Sequence, residues 1–302
     1  MILYIILINI FVHLHGITLP VWYQTPRFWG EPRLLKNYQN WVETFVRTGF
    51  SEHGYDCRGC CTSINNLLPK TNTLTSFEIE TQYTKNFING FFLQAVLPLR
   101  VLHSNENKNL CNGQLGDTLL TAGWGINCQN FTHLDFLDLT LQAGAVLPSG
   151  SLCYYNNCCD CIHNNDDQIG CLATGYNGNT GFVGNLQAAV GLLDWLTFGG
   201  HVAVFHFPNC GDSFNVISYG FYGKADHLIN GLSIILAGVR NKEKQNDATN
   251  WRLNTFNIFI EYDFACLHDP YRPTFGLLFD IARKGQCALP TTMYGIYFNV
   301  IF

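Results

Sequence analysis

Charged side chains are scarce in this chain of 302 residues. It contains 22 Asp and Glu and 17 Lys and Arg, which is 13 % of all residues and about half the share in an ordinary soluble domain. The net charge is −5, and the basic residues are scattered without forming a basic stripe. Nucleic acid is therefore not expected as a partner. The surface is not that of an ordinary soluble protein.

Long uninterrupted apolar segments are also missing after the N-terminus. The segment that comes nearest to a transmembrane helix, 186–207, contains Asp194, His201, His206 and a Gly-Gly pair. A bundle of transmembrane helices is therefore not supported. Apolar residues nevertheless make up 47 % of the chain and aromatic residues 14 %, with 28 glycines and only 2 methionines. This composition excludes disorder, coiled coil and collagen and favours β-structure.

The N-terminus has the length of a signal-peptide core. Residues 2–12 are apolar apart from Asn9, and the small residue Gly16 follows. No Lys or Arg precedes the apolar stretch and no Ala-x-Ala pattern follows it, so a membrane anchor or a buried strand is the alternative. We predict a removed secretion signal over 1–16.

From residue 41 onward, apolar and polar residues alternate with the period of two that is typical of strands with two different faces. The alternating segments are 9 to 14 residues long, more than an ordinary globular strand needs and enough to cross a bilayer at a tilt. We predict twelve strands, over 41–50, 76–84, 90–102, 118–127, 134–147, 182–192, 195–207, 214–225, 231–240, 254–264, 274–283 and 293–302.

The connections between these strands alternate between long and short. Long polar connections are predicted at 51–75, 103–117, 148–181, 241–253 and 284–292, and short ones at 85–89, 128–133, 193–194, 226–230 and 265–273; only 208–213 breaks the alternation. Transmembrane β-barrels have short periplasmic turns and long outer loops, and their even strand number places both chain ends on the periplasmic side. We therefore predict an all-β fold, a single antiparallel transmembrane β-barrel over 41–302, preceded by a periplasmic segment over 17–40.

The last strand carries a resemblance to a known class of proteins. Tyr294, Ile296, Phe298, Val300 and the terminal Phe302 form one alternating aromatic and apolar face. This strand resembles the C-terminal signal of Gram-negative outer-membrane proteins, and the segments 116–125 and 141–150 resemble strand ends of porins and hydrophobic-compound transporters. The resemblance implies an outer-membrane location, insertion by the barrel-insertion machinery with this strand as the signal, and the lipid bilayer as a partner.

In such a barrel the apolar face of each strand meets lipid and the mixed face lines the lumen. Leu137, Leu139, Leu141, Ala143, Ala145 and Leu147 then face lipid in the fifth strand. The same rule, applied to the other strands, predicts that the following residues point into the lumen: Glu43, Arg47, Glu78, Glu80, Gln82, Gln94, Arg100, Asp138, Thr140, Gln142, Gly144, Asn185, Gln187, His201, Lys224, Asn257, Glu261, Asp263, Asp280 and Asn299.

This predicted lumen holds seven acids and three bases, an excess that favours cations or neutral solutes over anions. Two interpretations of the same residues remain open. In one they line a pore; in the other they form internal salt bridges that plug a narrow barrel, because a dozen strands leave a small bore. Four inward aromatic residues, Phe45, Phe92, Phe205 and Phe259, either contribute to a plug or form an apolar track. Aromatic residues near strand ends are expected in the interfacial girdles: Trp41, Tyr83, Trp124, Trp195, Tyr262 and Tyr294.

Eleven of the 13 cysteines lie in or beside the predicted outer loops, and only Cys128 and Cys266 lie at the other end. An exported chain favours disulfides, for which the candidates are Cys57, Cys60, Cys61, Cys153, Cys158, Cys159, Cys161 and Cys171. A loop zinc site is the alternative, since Cys-x-x-Cys is a common half-site, but we predict neither metal nor cofactor. The odd number leaves at least one thiol free or paired with another chain.

The function predicted from the sequence is a channel for passive passage of small solutes, not an enzyme. One alternative is an outer-membrane enzyme acting on lipid or lipopolysaccharide, for which His201 and His206 with Ser213 and Ser218 near the outer rim are the candidate residues. The other alternative is a structural barrel whose Cys-rich loops bind a second protein.

Overall fold

A computed structural model describes residues 39–55, 60–67, 72–103, 114–115, 118–129, 134–147, 180–193, 195–208, 214–229, 231–245, 248–264, 272–286 and 292–302. The predicted signal peptide and all of the predicted periplasmic segment except residues 39–40 lie outside these ranges. The described part contains fifteen strands: β1 (Asn40–Ser51), β2 (His53–Tyr55), β3 (Cys61–Ser63), β4 (Leu74–Asn86), β5 (Phe91–His103), β6 (Gln114–Leu115), β7 (Thr118–Gln129), β8 (Phe136–Leu147), β9 (Gly181–Leu193), β10 (Leu196–Phe207), β11 (Phe214–Ile229), β12 (Leu232–Gln245), β13 (Ala248–Asp263), β14 (Arg272–Gln286) and β15 (Thr292–Ile301).

Helical structure is limited to single turns in these ranges. A four-residue helix, α1 (Ile64–Leu67), follows β3, and a 3₁₀ turn at Ile88–Gly90 joins β4 to β5. No helix among the described residues has the length and apolar character needed to cross a membrane.

Twelve of the strands form one closed antiparallel barrel, and β2, β3 and β6 are additions to it. Each barrel strand pairs with the next along the chain, and β1 pairs with β15 from Trp41 opposite Ile301 to Phe50 opposite Thr292. This closure leaves no edge strand with unpaired backbone groups, which lipid would not satisfy. The twelve strands correspond to the twelve predicted ones, so the predicted fold class is confirmed.

The prediction of a long loop at 241–253 is wrong. β12 continues to Gln245 and β13 begins at Ala248, and these two residues pair with each other, so most of 241–253 is strand. The segment is polar because it extends beyond the apolar band, where water solvates polar side chains on a strand as well as on a loop. The polar composition therefore marked the end of the lipid-facing band, and not the end of the strand.

Side chains along the barrel strands alternate between buried and exposed positions. In β9, Asn185 and Gln187 are 2 % exposed, whereas Phe182 and Leu186 are 57 % and 53 % exposed. The apolar side chains thus form the outer surface and the polar ones the interior, the opposite of a soluble protein. This arrangement suits a barrel whose surroundings are lipid.

The expectation that Trp41 belongs to an outer aromatic girdle is wrong. Trp41 is 1 % exposed and shares the inward face of β1 with Glu43, Phe45 and Arg47, because residues two apart on a strand point to the same side. The other five aromatic residues expected in the girdles are exposed on the outer side: Tyr83, Trp124, Trp195, Tyr262 and Tyr294.

Candidate functional site

The interior of the barrel contains the residues predicted to line a pore. Of the twenty predicted residues, fifteen are buried: Glu43, Arg47, Glu78, Glu80, Gln82, Gln94, Thr140, Gln142, Asn185, Gln187, His201, Asn257, Glu261, Asp280 and Asn299. Asp138, Lys224 and Asp263 are partly exposed on the same face. The backbone of Arg100 pairs with Glu78, but its side chain is not among those described. A pore-lining role for this set stays a prediction.

Arg47 is the centre of a buried charged group, the Arg47 cluster, formed with Glu78, Glu80 and Asp280. Its Nη2 lies 3.2 Å from Glu78 Oε2 and 3.6 Å from Glu80 Oε2, and its Nη1 lies 3.4 Å from Asp280 Oδ2. All four side chains are buried. Three carboxyl groups around one guanidinium leave an excess of negative charge when all are ionised.

The strand register explains why these residues meet. Glu78 lies directly opposite Arg47 in the β1–β4 pair, and Glu80 is two residues further on the same face. Asp280 is on β14, on the far side of β15, where Gly295 lies opposite Arg47. A Cβ at Gly295 would come within 2.2 Å of the backbone oxygen of Val46 and within 2.9 Å of Arg47 Cγ, so glycine permits the close approach of β15 to β1 beside the arginine. Asn257 Nδ2 on β13 also donates to Asp280 Oδ1.

A second charged group, the Lys224 cluster, lies nearer the short turns and consists of Lys224, Asp226 and Glu261. Lys224 Nζ is 3.0 Å from Asp226 Oδ1 and 3.1 Å from Glu261 Oε1, and Ser233 Oγ donates to Asp226 at 2.9 Å. Asp226 was not among the predicted inward residues, because 226–230 was predicted as a turn, whereas β11 continues to Ile229. The pairing of Lys224 with Glu261 joins β11 to β13 across β12.

Aromatic rings lie between the charged groups and against the wall of the barrel. Phe45 and Phe259 pack on Tyr297 with ring centroids 5.5 Å and 6.0 Å apart, and the Tyr297 hydroxyl donates to Glu261. Tyr297 lies over Gly276, where a Cβ would come within 2.0 Å of the ring. Four other inward rings lie over a glycine of the neighbouring strand in the same way: Phe92 over Gly123, Phe136 over Gly191, Phe207 over Gly181 and Tyr222 over Gly199. The rings therefore line the wall.

On the opposite side of the interior, most of the described polar side chains are amides and hydroxyls. Amide and hydroxyl groups form short chains there: Gln94 Nε2 donates to Thr84 Oγ1 at 3.0 Å, and Asn185 Nδ2 donates to Gln142 Oε1 at 3.0 Å. Towards the outer end these polar groups give way to a buried apolar cluster that we call the apolar wall: Val96, Leu119, Val146, Val183, Ala203, Phe205, Phe207 and Val216. Its members come from β5 and β7 to β11.

The His and Ser residues considered for lipid chemistry do not lie where that chemistry needs them. His201 Nε2 is 3.1 Å from Ser218 Oγ, but both side chains are buried inside the barrel. His206 is exposed on the outer side and contacts Asn215, while Ser213 lies outside the described residues. His201 Nδ1 has no hydrogen-bond partner, so the pair lacks the orienting third group of a triad.

Most of the cysteine predictions fall outside the described residues: Cys57, Cys153, Cys158, Cys159, Cys161 and Cys171. Cys60 precedes β3 and Cys61 is its first residue; both are exposed, and Cys61 is a free thiol, as is Cys128 on β7. Within the described ranges, no group of three or more His, Cys, Asp and Glu side chains is placed to hold a metal ion. Disulfides between the outer loops stay a prediction.

The face predicted as an insertion signal is on the outside of β15. Tyr294, Ile296, Phe298 and Phe302 are exposed and Val300 is partly exposed, whereas Tyr297 and Asn299 are buried inside. The alternation expected from the sequence therefore places the signal face towards lipid. Its recognition by the insertion machinery stays a prediction.

The fold is similar to that of solved structures, although the sequence matches no known family. No protein-family model and no curated protein matches the sequence. Among solved structures, an outer-membrane channel from Pseudomonas putida F1 has a TM-score of 0.57 at 12 % identity, covering 88 % of this chain and 96 % of that one. The NanC porin has a TM-score of 0.46 at 8 % identity, over 86 % and 98 % of the two chains. The likeness to the first of these two structures confirms the expected fold, a closed antiparallel β-barrel.

Proposed function

We propose that the chain is a passive outer-membrane channel for small solutes with a mild preference for cations, located in a Gram-negative-type bacterium. The observation that carries the proposal is the Arg47 cluster, in which three carboxylates converge on one guanidinium inside a barrel whose outer face is apolar. A field from these groups acts on an ion in the interior, because the surrounding wall has a low dielectric constant.

Stability alone does not explain buried charges of this kind. Replacing a buried ion pair by packed apolar side chains is often neutral or stabilising, since the desolvation of the charges costs about as much as their attraction returns. The apolar wall of the same barrel demonstrates that inward positions accept Val, Leu and Phe. Charges on the opposite side therefore favour a role in passage.

The rings that lie over glycines support the same proposal. Tyr297 lies over Gly276 and Tyr222 lies over Gly199, so both rings lie against the neighbouring strand. A barrel that is filled only for stability gains more from side chains that interdigitate at its centre. Aromatic side chains along the wall also offer an apolar surface to a passing solute.

A closed structural barrel whose Cys-rich loops bind another protein is the second candidate. It is favoured by the near-complete burial of the inward side chains, among which Glu43, Phe45, Glu78, Glu80 and Phe259 are 0 % exposed. Passage through the barrel then requires that the Arg47 side chain shifts away from its partners. Conductance separates the two candidates, because only the channel carries current.

The test is single-channel recording of the refolded protein in a planar bilayer under a salt gradient. We expect a cation-preferring reversal potential that falls when Glu78→Gln and Glu80→Gln are combined, because two negative charges are removed with little change in shape. Lys at both positions should abolish or reverse the preference. The matched control is Phe77→Leu with Ile79→Val on the outer face of the same strand, which should leave the potential unchanged.

Two results would contradict the channel. A refolded barrel that carries no current in any of these variants would establish the closed structural barrel as the better account. A conducting barrel whose reversal potential is insensitive to the Gln pair would remove the Arg47 cluster from the permeation path.

Assembly through the last strand is tested separately. Combining Phe298→Asp with Phe302→Asp should block assembly, since both side chains face lipid and belong to the proposed signal, whereas Asn299→Asp on the inner face should not. The measurement is the heat-modifiable mobility of the folded barrel on gels. Normal mobility of the double variant would refute the role of the strand in insertion.

A further inference from the structure

Basic side chains gather at one place on the outer surface of the barrel. The structure describes the side chains of seven Lys and Arg residues, and two of these, Arg47 and Lys224, are inside. Four of the remaining five form a group that we call the basic rim, at the predicted outer ends of β12, β13 and β14: Arg240, Lys242, Arg252 and Lys284. The fifth, Lys85, lies at the opposite end, near the turn after β4.

The strand register brings the members of the basic rim together. Lys242 lies directly opposite Arg252, and Asn254 on β13 lies opposite Arg240 on one side and Lys284 on the other. All four are on the outer face, since the neighbouring Val239 and Leu253 are buried inside. The ring of Tyr219 on β11 lies 6.0 Å from Arg240 Cζ and 5.9 Å from Lys242 Nζ, which orients both cations outwards.

The height of the basic rim matches the upper edge of the lipid. Along the outer face of β13, Arg252 is followed by Asn254 and then by Phe256, Ile258, Ile260 and Tyr262. Arg252 and Tyr262 are about 25 Å apart along the barrel axis, for a rise of about 3.3 Å per residue and a tilt of about 40°, and the apolar band of such barrels has this height. The cations therefore lie where the headgroups of the outer leaflet begin.

The positive charge of the basic rim is not balanced by the described part of the protein. Two like charges directly opposite each other on paired strands are destabilising, as for Lys242 and Arg252. No Asp or Glu side chain described on β11 to β14 is on the outer face. The Nε atoms of Arg240 and Arg252 are shielded from water and have no hydrogen-bond partner. Shielded guanidinium donors beside a like-charge pair indicate an anionic ligand.

We propose that the basic rim binds the phosphate groups of a phosphorylated lipid in the outer leaflet, with the acyl chains of that lipid against the apolar face below it. Guanidinium groups bind phosphate oxygens in a bidentate manner, and Lys adds a point charge. Phe256, Ile258 and Phe279 form the apolar surface directly beneath the cations. The inference rests on the outer-membrane setting of the proposed function, but not on conduction.

The experiment measures lipid binding to the purified, refolded full chain in a neutral detergent. The probes are lipid A carrying two phosphates, the same lipid after enzymatic removal of both phosphates, and inorganic phosphate alone. We expect the diphosphorylated lipid to bind, the dephosphorylated lipid to bind about tenfold more weakly or not at all, and inorganic phosphate not to bind at matched concentrations. Native mass spectrometry of the protein–lipid complex provides the readout.

The decisive variant combines Lys242→Gln with Arg252→Gln, and the matched control is Lys85→Gln at the other end of the barrel. The double variant should lose about tenfold in affinity for the diphosphorylated lipid, and the control should retain it. Equal binding of both lipids by the wild-type chain, or unchanged binding by the double variant, would overturn the proposal. Tight binding of inorganic phosphate alone would also overturn it, since the site would then be one for a free anion.

The conductance of the same preparations keeps this proposal separate from the channel. A protein that conducts but does not prefer the phosphorylated lipid contradicts the basic rim only. A protein that binds the lipid and carries no current contradicts the channel only.

Discussion

The two sides of the barrel interior have opposite chemistry on the same fold. On β1, β4, β13 and β14 the inward positions carry the charged wall, which consists of Glu43, Arg47, Glu78, Glu80, Glu261 and Asp280. On β5 and β7 to β11 the outer half carries the apolar wall, with Val183, Phe205 and Val216 at its centre. Both sides are buried to the same degree and point to the same lumen.

A barrel strand therefore sets the direction of a side chain but not its chemistry. The apolar wall is stabilised by burial of apolar area, which costs no desolvation of charge. The charged wall depends on a few pairs, because three acids share one arginine. A defect on the charged wall should therefore spread to several residues, whereas a defect on the apolar wall stays local.

The largest effect is expected from Arg47→Met. The substitution leaves Glu78, Glu80 and Asp280 buried without their shared cation, and removing one partner of a buried ion pair costs about 3–5 kcal/mol. We expect the free energy of unfolding, measured by denaturant titration in micelles, to fall by this amount. Adding Glu78→Gln and Asp280→Asn to the variant should restore most of the loss. An unchanged free energy of unfolding in Arg47→Met would show that the charged wall, like the apolar wall, does not depend on this ion-pair cluster.

A smaller effect is expected where Tyr297 packs over Gly276. Gly276→Ala places a Cβ within 2.0 Å of the ring, and overpacking of a core typically costs about 1–3 kcal/mol. The control is Gly184→Ala on the outer face of β9, where nothing lies within 4 Å of the added Cβ. The control should be neutral or slightly stabilising in the same unfolding measurement. Equal costs at both glycines would mean that the position of Tyr297 does not depend on Gly276.

His201→Gln should have a smaller effect still, a loss of about 1 kcal/mol for one hydrogen bond, because the pair with Ser218 is a structural contact inside the barrel. Hydrolysis of labelled phospholipid should not exceed background for the wild-type chain or the variant. Lipid turnover by the wild-type chain that disappears in His201→Gln would instead support the enzymatic alternative.

The smallest change is expected from one new charge opposite the charged wall. Asn185→Asp adds a carboxylate beside Gln142, whose amide can turn to donate to it. If ions pass between the two sides, the cation preference should rise, by less than the Glu78→Gln and Glu80→Gln pair lowers it, since one charge changes and not two. A reversal potential that responds to the pair but not to Asn185→Asp would place the ion path along the charged wall alone.

Much of the candidate site follows from alternation within single strands. The inward direction of Glu43, Arg47, Glu78, Glu80 and Asp280 was predictable, because side chains of a strand alternate strictly and one face of each strand is apolar. The same rule, applied consistently, would have placed Trp41 inside. Whether a residue occupies an odd or an even position along its strand predicts its inward or outward direction better than its closeness to the end of the strand.

The contacts between strands were not predictable in this way. Arg47 reaches Asp280 across β15, where Gly295 is opposite, and Lys224 reaches Glu261 across β12. These partners are 233 and 37 positions apart in the chain, and their meeting depends on the register of several strands at once. Asp226 and the outer half of β13 were missed for a related reason, since polar residues at the end of a transmembrane strand resemble those of a loop.

The sequence by itself determined the antiparallel barrel, its twelve strands and the face that each residue of a strand presents, because alternation, strand length and loop asymmetry are local properties that a bilayer imposes on every strand. Only the tertiary structure decided which charges share a partner, which rings lie over glycines and where the basic rim forms. These features depend on closure of the sheet, which brings β1 beside β15 and fixes one register around the whole barrel.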